Sequence, residues 1–239
     1  MTTCTNCKTE INQNYCPQCG QASKLKRIDA HYIQHEIAHV LHLEKGIFFT
    51  IRELLLRPGK NVREYISVNR TKLVKPIIFL IVCSVIYTMI SHFFHTEEVY
   101  ALPAEAKKRA SAAISGWVES HYGYANIIMG IFIALWLKLF FKKHSYNFFE
   151  IIILLCFVMG MGMLILAVFA IIEGIVKVHL LQIAGFIAFI YCSWAIAQFF
   201  DEKKIGSYLK AFSAYILGAI TFTLSVQLLG FAIDSIFKH

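Results

Sequence analysis

RPGKNVREYISVNRTKLVKP, residues Arg57 to Pro76, divides the chain into two unlike parts. Before it stands a polar head with four cysteines; after it nearly every stretch is apolar enough for a bilayer. Six cations crowd into the divide: Arg57, Lys60, Arg63, Arg70, Lys72 and Lys75. A basic joint beside apolar spans meets anionic head groups and is held on the cytoplasmic side.

The composition agrees. Of 239 residues 57% are hydrophobic and only 16% charged, with a mean hydropathy of +0.59. A soluble domain of this length carries more charge, so the class is integral membrane. The net charge of +8 would also suit nucleic acid. Its concentration next to the spans is explained by orientation and by lipid head groups, without that partner. The N-terminus is polar, with no apolar core of a cleavable signal, so the first membrane helix is expected to direct insertion.

Within the head, residues 1–23, Cys4-Thr5-Asn6-Cys7 and Cys16-Pro17-Gln18-Cys19 form two C-x-x-C knuckles. Each lets two thiolates face one ion while its turn offers backbone N–H groups to the sulfurs. Gly20 follows the second knuckle, where a residue free to take positive φ suits the turn. Four thiolates make a closed tetrahedral shell, the pattern of structural rather than catalytic zinc. Disulfides are the alternative, but they need an oxidising compartment. A segment this small needs the metal to fold.

Residues 24–75 read as an amphipathic basic linker. From Asp29 to Leu43 the period is helical, with Ile33, Ile37, Val40 and Leu41 on one face and His31, His35, His39 and His42 on another. His35-Glu36-Ile37-Ala38-His39 matches H-E-x-x-H, in which two histidines hold zinc and the glutamate activates water. A protease needs a third ligand and none is marked, so the stripe reads first as a polar face. A second metal at His35 and His39 is the sharper alternative. Phe48 to Leu56 reads as another amphipathic helix, stopped by Arg57-Pro58-Gly59, with helix resuming from Asn61 to Val68.

Several residues here carry a likeness. Lys45-Gly46, Thr50, Leu54-Leu55, Arg57-Pro58-Gly59, Arg63-Glu64-Tyr65-Ile66, Arg70 and Pro76 resemble the signature of an uncharacterised family of bacterial membrane proteins, a domain of unknown function. Tyr146 to Glu150 and Tyr191 to Gly206 extend the resemblance. Ser67-Val68-Asn69 departs from it, where the pattern has a glycine and a basic residue. The likeness implies an N-terminal zinc ribbon ahead of a block of hydrophobic helices. It implies no activity and no catalytic residue.

Residues 76–239 are expected to form an all-α domain of five spans: Pro76–Phe94, Tyr124–Phe141, Phe148–Ile172, Val178–Phe200 and Ala211–Ile233. Lys138 interrupts the second near one end, where its stem can snorkel. Lys142-Lys143 and Lys203-Lys204 fall on the same side as the basic N-terminal region, which puts the N-terminus inside and the C-terminus outside. Lys107-Lys108-Arg109 dissents from the outer side, in a loop expected to hold a short helix from Pro103 to Trp117. Glu150, at the start of the third span, is the acid to watch, because an ionisable group at membrane depth defaults to a functional role. Gly160, Gly162 and Gly218 suit close helix approach.

These readings converge on a multi-pass protein of the bacterial inner membrane. The leading function is non-enzymatic, an adaptor whose ribbon meets a cytosolic protein or the membrane surface. The alternatives are a lipid- or small-solute transporter with a polar cluster around Glu150, and a metalloprotease using His35, Glu36 and His39.

Overall fold

The computed structural model describes residues 2–12, 14–22, 46–94 and 122–236. The histidine helix, with His31, His35, Glu36, His39 and His42, and the expected Pro103–Trp117 helix lie outside the described residues. A short hairpin pairs β1 (Thr2–Thr3) with β2 (Glu10–Ile11), Thr3 opposite Glu10. Two short helices follow, α1 (Ile47–Leu56) and α2 (Pro58–Ser67), and then α3 (Pro76–Phe93), α4 (Tyr122–Phe140), α5 (Phe148–Val176), α6 (Leu181–Asp201) and α7 (Ile205–Ile236).

The joint at Arg57 is tighter than the sequence suggests. Helix resumes at Pro58 rather than Asn61, because proline at the first helical position loses only an N–H that would be orphaned there. A single residue therefore ends α1 and begins α2.

Among the described residues four helices are long and apolar enough to cross a membrane, α3, α5, α6 and Ile205–Ile233 of α7, which makes this a multi-pass membrane protein. The apolar part of α4, Ala125–Phe140, is shorter than a full span. Lys138 near its end donates from Nζ to the carbonyl of Tyr146 at 2.7 Å, so the cation is satisfied.

Helix α5 is the axis. It packs against α3, α4, α6 and both short helices, and 72% of its most apolar window is buried against 17% for α7. Lipid is as apolar as leucine, so burial alone gives spanning helices no reason to associate; close fit does. Gly160 lets the Phe79 ring of α3 lie against α5, Gly162 faces Cys192 and Ala188 of α6, and Gly218 of α7 lies on the backbone of Ile133 in α4.

This register also fixes relative heights. Gly160 is level with Phe79 and Leu80 near the start of α3, and Gly174 with Phe94 at its end. At 1.5 Å per residue, α5 therefore overhangs the start of α3 by ~14 Å. The overhang, together with the end of α6, is wrapped by α1 and α2. Tyr65 of α2 meets Phe157 edge-on at 5.3 Å, and Phe157 meets Phe79 at 5.8 Å.

Candidate metal centre and its seat

The four knuckle cysteines converge. Cys4 Sγ lies 3.6 Å from Cys19 Sγ and Cys7 Sγ 3.4 Å from Cys16 Sγ, and all four sulfurs fall within 4.8 Å of one another. Bonds of ~2.3 Å from zinc to sulfur would set tetrahedral edges near 3.8 Å, so the cage has the size such an ion needs.

The two knuckles repeat each other. Cys4 N–H donates to the Thr9 carbonyl at 2.8 Å as Cys16 N–H does to that of Gln21 at 2.7 Å. Lys8 N–H returns to the Cys4 carbonyl as Gly20 N–H does to that of Cys16. Lys8 (φ 64°) and Gly20 (φ 71°) both take the left-handed conformation that closes the turn. The sequence flagged Gly20 and passed over Lys8, a residue type that conceals the same conformation.

The thiols of Cys4, Cys7 and Cys19 differ in how readily they ionise. The Cys7 thiol is brought down to about 6 by the Thr9 hydroxyl and then its backbone N–H, against the effect of burial. Cys4 is lowered chiefly by the backbone N–H of Cys7. At Cys19 the backbone N–H of Gln21 works downwards, yet burial and the neighbouring Cys7 sulfur win and push it up to about 11. Sulfurs this close cannot all be thiolates unless a positive ion stands among them. Four soft donors in a closed shell could hold one four-coordinate metal and leave no position for substrate.

The head is bonded to its seat. Gln21, buried and two residues past Cys19, donates through Nε2 to the Val68 carbonyl at 2.7 Å. Asn69 Nδ2 donates to Asn6 Oδ1, inside the first knuckle, at 2.7 Å. Thus the turn after α2 holds both knuckles. Asn69 sits where the sequence departs from the family pattern, and nothing in that departure signalled the contact.

Beneath the turn, the basic stretch is a set of fasteners. Asn61, 2% exposed, donates to the carbonyls of Glu53 and Arg57, each at 2.9 Å, and accepts from Lys72 Nζ at 2.9 Å. The amide thereby adds a second bond to each carbonyl, the two already accepting from the N–H groups of Arg57 and Asn61, and so ties the end of α1 to α2. Lys72 also meets Glu64 at 2.8 Å and Glu53 at 3.8 Å. Arg63 Nη1 donates to the carbonyls of Gln198 and, at 3.0 Å, Phe199, placing a cation on the negative end of α6. Tyr191 of α6 donates its hydroxyl to the Leu54 carbonyl at 3.0 Å. A Cβ on Gly59 would fall on the Gln198 carbonyl and 2.6 Å from the Phe199 nitrogen, so α2 touches α6 backbone to backbone. The sequence marks Lys72 only as one of six cations in the joint, and Asn61 shows there only as a polar side chain on the buried face of α2.

Glu150 closes a capping box at the head of α5. Its Oε2 accepts from Asn147 N–H at 2.7 Å and its own N–H donates to Asn147 Oδ1 at 2.8 Å. Glu173, near the other end of α5, accepts from the N–H groups of Leu180 and Leu181 at 2.8 and 2.9 Å and so caps α6. Both buried acids thus have helix-capping work that requires no ligand. Between them α5 presents Leu154, Phe157, Met161 and Met163, all almost fully buried and apolar. The candidate ligands His35 and His39, and Glu36, lie outside the described residues.

Head, seat and four apolar helices define a multi-pass membrane protein with a four-cysteine cluster compatible with zinc binding. Residues 44–88, which contain α1, α2, the seat and most of α3, match the model of a family described as "Protein of unknown function (DUF3667)". Neither a curated protein nor a solved structure matches the chain.

Proposed function

We propose that this chain is a membrane-anchored adaptor of the bacterial inner membrane whose zinc-locked head is presented to a cytosolic protein partner. Cys4, Cys7, Cys16 and Cys19 would hold a structural zinc. The observation that carries the reading is the head's attachment: both knuckles are bonded to the turn at Val68 and Asn69, so the head is presented in one orientation. Its outer rim shows Tyr15, 65% exposed, beside exposed Pro17. An exposed aromatic on a fixed, largely polar surface is the material of an interaction hot spot. The apolar interior along α5 supports anchoring over transport.

In this reading α4 crosses as a fifth span, because its backbone lies along α7 at Gly218. The basic head end faces the cytosol and the C-terminus the outside. A reporter fused after His239 should behave as external. For the adaptor itself, partners cross-linked to full-length protein should be lost in Tyr15→Ala with metal content unchanged, and also in Cys16→Ser with Cys19→Ser. Equal recovery of every partner by wild type and both variants would reject the adaptor. The protease alternative predicts a second zinc and membrane-substrate cleavage abolished by Glu36→Ala.

A further inference from the structure

Helix α1 is inside out for a helix in water. By 100° per residue, Leu55, Phe48, Arg52, Leu56 and Phe49 form one continuous arc. That arc is the exposed side: Phe48 is 83% exposed, Leu56 61%, Leu55 49% and Phe49 43%. The opposite side, Thr50 and Leu54, is buried against the protein. An exposed stripe with four large apolar residues and one arginine needs a partner, and its place in the fold says which.

Height decides it. Helix α3 has 18 residues and is therefore ~27 Å long, barely the ~30 Å of a bilayer core, so Pro76 must stand close to its boundary. The buried hydroxyl of Thr50 accepts from Val74 N–H at 3.0 Å, two residues before Pro76, which ties α1 to that level. Arg52, Arg57 and Lys60 are exposed on or beside the stripe. Apolar side chains at the core boundary with cations among and beside them match an in-plane helix in a leaflet containing anionic lipid.

We propose that α1 lies in the membrane interface, with Phe48, Phe49, Leu55 and Leu56 entering the inner leaflet and Arg52 and Arg57 meeting anionic head groups. The proposal shares with the adaptor reading only the orientation of the head end toward the cytosol. It makes α1 a float that fixes how far the head stands from the bilayer, leaving the rim around Tyr15 for protein.

The test uses the full chain in vesicles of mixed phosphatidylethanolamine and phosphatidylglycerol, with a photoactivatable phenylalanine placed singly at Phe48, Leu56, Ser67 or Leu224. Metal content and helical circular dichroism confirm folding of each variant, and Leu56 stands in if the Phe48 variant does not fold. Leu224, on the exposed side of α7, reports a span and should form lipid adducts. Expected are lipid adducts at Phe48 and Leu56 several-fold above those at Ser67. Replacing Arg52 and Arg57 by Gln, or using phosphatidylcholine alone, should reduce the α1 adducts and leave Leu224 unchanged. Adducts at Leu224 but none at Phe48 and Leu56 would overturn the proposal while leaving the membrane reading intact. Protein adducts at Phe48 in membranes would overturn it too, and would assign the stripe to the partner. Loss of partner recovery in Tyr15→Ala bears on the adaptor alone.

Discussion

In the head, the described apolar core amounts to Cys4, Ile11 and Cys16, with Cys7 and Cys19 against it; in the bundle, one buried cluster runs from Leu54 to Ala214. The first is too little to order a chain, so in the reading proposed above the head's free energy comes from a bound ion. The second is held by fit among helices that lipid already makes compatible. Between them the seat needs no metal and adds polar fasteners to a buried apolar face that includes Leu54, Val62 and Tyr65. It uses hydrogen bonds to carbonyls at helix ends. One chain therefore contains three modes of stabilisation, and each should fail separately.

The largest effect is expected from Cys16→Ser with Cys19→Ser. Bound metal should fall from about one per chain to none, removing a binding energy that in zinc-finger peptides reaches ~10–16 kcal/mol. Amides of the head should then exchange freely while the helical signal of α3 to α7 persists. A bundle that melts along with the head would break the division between the two.

Gly59→Ala strikes the other side of it. The new methyl meets backbone atoms of Gln198 and Phe199 rather than a movable side chain. Helix α2 must lift from α6, with an expected loss of ~1–3 kcal/mol. Thermal melting in detergent should drop while metal per chain stays unchanged. Loss of metal in this variant would mean that the seat organises the knuckles, instead of merely receiving them.

A finer comparison lies inside the head. Lys8 and Gly20 hold the same left-handed turn in the repeated knuckles, yet only glycine does so without steric cost. Lys8→Gly should tighten metal retention and Gly20→Ala loosen it, each by ~1 kcal/mol, read as opposite shifts in a chelator competition. Shifts of the same sign would show that the knuckles are equivalent in shape but not in energy.

How much of this was legible in sequence depended on whether the signal was local. The double C-x-x-C carries its own geometry, and the structure brings those four sulfurs together. Hydropathy found the long helices, because a run of apolar residues needs no partner to be recognised. It placed the last one late, at Ala211 instead of Ile205, since Gly206, Ser207 and Lys210 lower the average without breaking the helix. The seat was illegible for the opposite reason. Asn61 gains meaning only from carbonyls at positions 53 and 57 and from Lys72, and Arg63 only from Gln198 and Phe199, more than a hundred residues away. Glu150 reads in sequence as an acid near the membrane; Asn147, three residues back, is the nearer clue to a capping box.

The smallest effect belongs to Glu64, and its sign can be worked through. The Lys72 ammonium, 2.8 Å away, holds this carboxyl below its ordinary 4.5 by hydrogen bonding and by charge, with Lys60 adding to the field and burial opposing. A folded value below the unfolded one means stability that is present above the ordinary value. It is lost as pH falls through that value towards the folded one. Both side chains are about a third exposed, 31% for Lys72 and 32% for Glu64, so solvent screens the pair and its worth is at most ~1 kcal/mol. Glu64→Gln should therefore lower the melting temperature slightly at neutral pH, and the difference should shrink towards zero as the pH drops below the ordinary carboxylate range. The comparison belongs in the Cys16→Ser, Cys19→Ser background, because acid would also protonate the head's thiolates and blur the result. An unchanged difference at low pH would assign the effect to packing against Asn61 and Lys72 rather than to charge. The seat would then be, like the bundle above it, a matter of fit.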